Sequence, residues 1–370
     1  MTASRHPEEP RPRLGIDRWR VEEGVWLLTH PPAPIPARAL QVVALGGGTG
    51  LPVVLRGLKA ELFFSQTWNQ TVDPQRLTAI VTVADDGGSS GRLRREHGVL
   101  PPGDIRNCLL ALSDGDSLMA RLFDFRFGSR GASGGHSLGN LILTALSRIG
   151  NGFSQAVERG GDLLTIRGRV FPSTLDDVML RAEFADGSFV EGESKIPLAR
   201  RQIRRVNLEP PHARALPQAI SALAAVDLIV IGPGSLYTSL IPILLVRDLA
   251  DGIARSRARV VLVTNLMTEP GETDGYTATD HLEAIREHAP QVPIHDVLLN
   301  TNTVPRDLAN KYAAEGAVPI PPAAEAIRAR GSRPVQRALL ARGPKIRHDP
   351  RKLARALLEL GPLDTEHARA

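Results

Sequence analysis

The sequence predicts an α/β protein: a mostly parallel sheet with helices on both faces. Three observations carry this. Five apolar runs of strand length (residues 41–45, 77–83, 227–231, 259–263 and 296–299) are separated by segments with helical apolar spacing. Each run ends in Gly, Asp, Asn, Ser or Thr, the residues that line the open end of such a sheet. Alternating strands and helices imply parallel pairing with both faces covered.

The elements follow in order. The strand at 41–45 leads into Gly46, Gly47, Gly48, Thr49 and Gly50, and residues 52–59 read as a helix with Pro52 in its first turn. The strand at 77–83 ends at Ala84-Asp85-Asp86-Gly87-Gly88, where Gly87, Gly88 and Gly91 suggest a flexible flap. Residues 107–112 and 137–149 read as helices. Runs at 163–170, 178–184 and 189–194 alternate as strands do, with a hairpin turn at Asp186-Gly187.

This suggests five parts: an extension at 1–39 with the stiff run Pro31-Pro32-Ala33-Pro34-Ile35-Pro36, a first nucleotide-binding part at 40–159, a small β insertion at 160–206, a second part at 207–357 and a tail at 358–370. Trp19 and Trp26 in the extension have no evident place.

Composition narrows the class. The chain has 370 residues, 42% hydrophobic and 23% charged, as globular proteins do. Its net charge of +5 comes from 45 basic and 40 acidic residues. The basic clusters, Arg200, Arg201, Arg204 and Arg205 and the stretch 328–355, lack the interleaved aromatics of a nucleic-acid surface and read as solvated faces. The one cysteine, Cys108, excludes an intrachain disulfide and reads as buried. No signal segment or membrane span is evident, so a cytoplasmic protein is expected.

The strand-end loops carry the candidate chemistry. Gly46–Gly50 suits an anion: glycine lets backbone approach it, the next helix points free N–H groups at it, and Thr49 adds a hydroxyl. The loop is neither a P-loop nor a dinucleotide fingerprint, because Leu51 stands where a glycine is needed. Asp85 and Asp86 suit a ribose hydroxyl or Mg²⁺, or simply cap a turn. Asp104 reads as a helix N-cap, placing Arg106 and Asn107 in a first turn within reach of a ligand. His136 suits an anion contact, acid–base work or a structural role, with Asn140 just beyond it. Gly234 and Ser235 lie in a second glycine turn, which would suit a two-headed ligand such as a nucleotide-sugar diphosphate. Asn265 is placed to read a base or sugar edge. His281 and His288 share at most a helix face and are assigned to the surface.

Taken together, these loops resemble those of the gluconeogenesis factor family (YvcK-like), within the superfamily of 2-phospho-L-lactate transferases (CofD-like). The matching stretches include Gly46-Gly-Gly-Thr-Gly-Leu51, Thr82-Val-Ala-Asp-Asp-Gly-Gly-Ser-Ser-Gly-Arg92, Pro102-Gly-Asp-Ile-Arg-Asn107, Gly135-His-Ser-Leu-Gly-Asn140, Ile231-Gly-Pro-Gly-Ser-Leu-Tyr-Thr-Ser239, Asn265-Leu-Met-Thr268 and His348-Asp349-Pro350. The resemblance implies a Rossmann-like fold. It also implies binding of a UDP-sugar, notably UDP-N-acetylglucosamine, and a regulatory role in cell shape and wall synthesis on gluconeogenic carbon. A protein partner such as a wall-synthesis enzyme, and a homo-oligomer, are compatible with it. The alternative is a Mg²⁺-dependent transferase using a guanylyl diphosphate donor and a deazaflavin acceptor. The run Gly87-Gly-Ser-Ser-Gly91 resembles the factor branch instead. A dinucleotide-dependent dehydrogenase is a third class, opposed by the missing third glycine.

Overall fold

The structure is a computed structural model that describes residues 40–64, 72–131 and 133–363. The extension at 1–39, with its tryptophans and proline run, and residues 364–370 of the tail lie outside the described residues.

Seven strands form the main sheet. They are β1 (Val42–Gly46), β2 (Leu77–Val81), β3 (Arg169–Pro172), β7 (Leu228–Ile231), β8 (Arg259–Val263), β9 (Asp296–Asn300) and β10 (Arg333–Arg337). Three further strands, β4 (Met179–Phe184), β5 (Phe189–Glu191) and β6 (Ile203–Glu209), form a separate antiparallel sheet in the order β5-β4-β6. The main sheet runs β10-β9-β8-β7-β1-β2-β3 with every pair parallel, which makes it a Rossmann-like α/β fold. The chain winds outward from β1 through β2 and β3, then returns to the other side of β1 with β7. The strand order reverses there, and the crevice beyond β1 and β7 is where such a sheet takes ligands.

The central strands are apolar throughout because both faces are covered. Alternate residues serve the two faces. Val43, Leu45, Ile229 and Ile231 enter one buried cluster, and Val42, Ala44, Leu228 and Val230 enter the other. The helices Gly50–Leu62, Gly103–Leu112 and Pro350–Leu358 bury Leu55, Leu109 and Leu353 in the second cluster. The first cluster is closed by the helices Pro217–Ala224 and Ala278–His288 and by the inner face of the small sheet, including Leu180, Ala182 and Val206.

Three local readings are corrected. The run at 163–170 is not a strand of the insertion: the helix Phe153–Leu164 occupies its start, and β3 joins the main sheet beside β2. Its alternation reflects the edge position of β3, with Val170 buried and Arg169 half-buried. The glycines after Asp86 form no flap but start the helix Gly88–His97, and Gly91 is packed against the Asp86 carbonyl. His281 and His288 are buried rather than superficial. His288 Nδ1 is 2.6 Å from the Ala284 carbonyl oxygen, and its Nε2 accepts a hydrogen bond from Val206 N–H, tying the helix to β6.

The helix Gly50–Leu62 crosses the helix Pro350–Leu358 at Gly57, where a Cβ would overlap the Pro350 carbonyl. Gly57→Ala is therefore expected to lower stability by about 1–3 kcal/mol in chemical denaturation. Gly115→Ala, which meets open space, should stay within about 0.5 kcal/mol. Equal effects of the two substitutions would contradict the crossing.

Candidate functional site

The two glycine turns meet at the strand reversal. Gly50 lies so close to the Pro233 carbonyl that a Cβ there would overlap it. Gly48 has φ +59° and Gly232 φ +80°, conformations that favour glycine. Asn265, just beyond β8, holds the second turn. Its Oδ1 accepts from Gly234 N–H at 3.0 Å, and its Nδ2 donates to the Gly234 carbonyl at 2.9 Å. Both ends of its amide thus engage the backbone of one residue, so Asn265 shapes the loop rather than presenting a free amide edge.

A cavity of about 870 Å³ opens on this junction. Gly48, Thr49, Gly50, Gly234, Ser235 and Asn265 line it, so six of the residues expected from the sequence come together. Thr49 is the N-cap of the helix Gly50–Leu62 but makes no side-chain cap hydrogen bond. The first turn, whose N–H groups have no partner within the helix, and the positive end of the helix dipole are at the wall. Four cations share the cavity: Arg56, Arg200, Lys345 and Arg347. Burial, then the charge of Arg347, pulls the Arg56 pKa down, as expected for like charges facing one space. Glu269 and Glu315 are the acidic wall residues. Glu269 is pushed up by burial despite its hydrogen bond with Ser235.

Sequence reasoning missed most of this charge. Arg200, Lys345 and Arg347 belong to clusters read as solvated faces. They are exposed, but the fold turns them toward a cavity. The segment carrying Lys345 and Arg347 is a loop closed by the Leu340–His348 bridge and pinned where Ile346 N–H donates to the Tyr312 hydroxyl. The only sequence signal for it was the short match at His348-Asp349-Pro350.

The other expected residues fall elsewhere. Gly46 and Gly47 are buried behind the loop, Gly47 against Thr82, Asp104 and Ser239. Asp104 does not cap its own helix, whose N-cap is Pro102. Its carboxylate reaches across to accept Gly48 N–H at 2.7 Å. That amide is therefore already satisfied within the protein. Asp85 and Asp86 turn apart. Asp85 accepts from Gly87 N–H at 2.8 Å, whereas Asp86 accepts from Ser194 N–H at 2.8 Å in the small-sheet segment. As a pair they do not fit a Mg²⁺ site. Among the described residues, no group of three or more His, Cys, Asp or Glu could hold a metal ion. His136 and Asn140 meet at Ser89, whose Oγ lies 2.9 Å from His136 Nδ1 and accepts from Asn140 Nδ2 at 3.1 Å. Burial, then Arg92, holds His136 below the ordinary histidine value. This buried knot lines neither the large cavity nor a smaller one beside it. Asn107 lines the smaller cavity, with Arg106 buried next to it.

Behind the glycine loops lies an acidic group that the sequence did not reveal. Asp104 is raised to about 6 by burial, with Asp85 adding to the shift. Glu193, from the small-sheet segment, is raised to about 8 by burial and then by Asp85, Asp104 and Glu272. Glu272, also about 8, is raised by burial and Glu269, and it accepts from Thr238 Oγ1 at 3.0 Å. No motif joins these residues, which come from four separate stretches of chain.

A Rossmann-like sheet with paired glycine turns at its strand reversal and a cavity lined by four cations there defines an α/β protein whose pocket lies where such sheets take ligands. Residues 42–340 match the family model described as 2-phospho-L-lactate transferase CofD, and the chain belongs to that family. It is 44% identical to the gluconeogenesis factor of Listeria monocytogenes over 88% of this chain and 97% of that one. With the gluconeogenesis factor of Bacillus subtilis the identity is 43%, over 86% and 98%. A crystal structure of protein BH3568 from Bacillus halodurans superposes with a TM-score of 0.81 at 41% identity, covering 87% of this chain and all of that one. No helix among the described residues is long and apolar enough to cross a membrane.

The raised acids make stability pH-dependent. The folded chain holds these protons more tightly than the unfolded chain. Their contribution is full below about pH 4. It is lost as pH rises through about 6 for Asp104 and about 8 for Glu193 and Glu272. Thermal melts from about pH 5 to about pH 9 should show Glu193→Gln flattening the upper part of this loss. A profile unchanged by that substitution would contradict a coupled acidic group.

Proposed function

We propose that this chain is a cytoplasmic nucleotide-sugar-binding regulatory protein with UDP-N-acetylglucosamine as its ligand. It acts through a protein partner in cell shape and wall synthesis during growth on gluconeogenic carbon. The relatives' name, gluconeogenesis factor, supports the physiological setting. One observation carries the ligand class: Arg56 and Arg347 face the same cavity beside a helix N-terminus, with Arg200 and Lys345 completing the charge. A diphosphate placed there relieves the repulsion and accepts charge-assisted hydrogen bonds. The volume, about 870 Å³, is within the usual range of small-molecule sites and suits a ligand with a head on each side of its phosphates.

Calorimetry tests this. UDP-N-acetylglucosamine should bind, and Arg347→Ala should weaken it about tenfold through loss of one charge-assisted contact. Arg351→Ala, outside the cavity, should bind as the parent does. No heat at millimolar ligand from a folded sample refutes the reading.

The acidic group favours a second reading, a transferase. Carboxyls raised to about 6 and about 8 beside the glycine loops are suited to hold or release a proton near neutral pH. Turnover of a guanylyl diphosphate donor with a deazaflavin acceptor, abolished by Asp104→Asn, would establish it.

A further inference from the structure

Among the described residues, three that are not glycine have left-handed backbone: Thr165, Arg200 and Ala323. Thr165 and Ala323 sit at helix ends, as a C-cap and an N-cap. Arg200, with φ +50°, is the one that lines the large cavity. A side chain in this conformation is strained because its Cβ crowds the following carbonyl, and glycine relieves the strain. Such a residue persists where its surroundings force the backbone.

The surroundings of Arg200 do so. It closes the single helical turn Pro197–Ala199, with its N–H donating to the Pro197 carbonyl. That carbonyl is packed against Gly271, and Ile196 before it is fully buried. On the other side β6 starts at the buried Ile203. The packing fixes the turn but does not call for an arginine in it. The side chain is exposed and makes no ion pair or hydrogen bond among the described residues. Its neighbours Arg201 and Arg204 are paired, with Asp186 and Glu183. The Arg200 guanidinium goes to the cavity wall instead. Its Nη1 lies 3.7 Å from the point where a Cβ on Gly316 would stand, and Glu315 and Ala317 on either side of Gly316 line the cavity.

Arg200 also stands apart from the other arginines of the cavity. The basic residue whose charge reaches Arg56 is Arg347. Those two share one part of the cavity, and Arg200 enters from the small-sheet segment at another.

We propose that Arg200 is a specificity-determining residue: it binds the second phosphate of a diphosphate whose first phosphate lies at Arg56 and Arg347. This rests on reading the large cavity as a phosphate site. The rigid turn sets the guanidinium at one place on the wall, and arginine donates to phosphate oxygens in fixed directions. Glycine would suit the backbone better, so the arginine serves the ligand and not the fold.

Equilibrium dialysis of the full chain against labelled inorganic phosphate and labelled pyrophosphate tests this. Arg200→Gly should weaken pyrophosphate binding about tenfold and leave phosphate binding unchanged. Arg201→Ala, outside the cavity, should change neither. In thermal melts Arg200→Gly should melt no lower than the parent and about 1–3 °C above Arg200→Ala, which keeps the strained Cβ. Parallel loss of both anions, unchanged pyrophosphate affinity or equal weakening by Arg201→Ala overturns the proposal. So does Arg200→Gly melting below the parent or level with Arg200→Ala, or a parent that binds no pyrophosphate at about 10 mM. If pyrophosphate behaves as expected and UDP-N-acetylglucosamine does not bind, the nucleotide-sugar reading alone fails.

Discussion

The contact of Gly50 with the Pro233 carbonyl is the constraint on which the site depends. Two backbone turns from sequence-distant strands come this close because Gly50 has no Cβ to place between them. The parallel pairing of β1 with β7 brings their carboxyl ends side by side. Asn265 then fixes the second turn from the neighbouring strand, and Asp104 fixes the first by accepting Gly48 N–H. The helix Gly50–Leu62 leaves this junction with its N-terminus aimed at a cavity wall, and both cavities share that end.

Charge is segregated around the junction. Cations collect on the solvent side, supplied by the helix Gly50–Leu62, by Arg200 after the small sheet and by the loop bearing Lys345 and Arg347. Buried carboxyls collect behind the glycine loops. The Asp104 carboxylate occupies the Gly48 amide from behind the first loop. Desolvation keeps protons on Glu193 and Glu272 near neutral pH, so the repulsion among the acids is smaller than their number suggests.

The three-stranded sheet contributes to the site as well as to the core. Its inner residues share the hydrophobic cluster of the main sheet. The segment after β5 sends Glu193 toward the acids, receives the Asp86 carboxylate at Ser194 and carries Arg200 to the cavity. Pro197 packs so tightly on Gly271 that a Cβ there would overlap its carbonyl. A displacement of this segment would move acid and cation together.

The sequence by itself determined the sheet and its glycine turns. Apolar runs bounded by Gly, Asp and Asn report strands buried on both faces, and such local patterns survive folding unchanged. It also located Thr49, Gly50, Gly234, Ser235 and Asn265 at strand ends, which the rule for ligand sites in open parallel sheets brings together. It misplaced β3 because alternation at an edge strand looks the same in a large sheet as in a small one. It read Arg200, Lys345 and Arg347 as surface charge because an exposed arginine has one local pattern whether it faces solvent or a cavity. The partner of Asp104, the divergence of Asp85 from Asp86, and the assembly of Glu193 with Glu272 were decided by tertiary structure alone. Each depends on distances between segments separated by tens of residues, and no short-range preference encodes those.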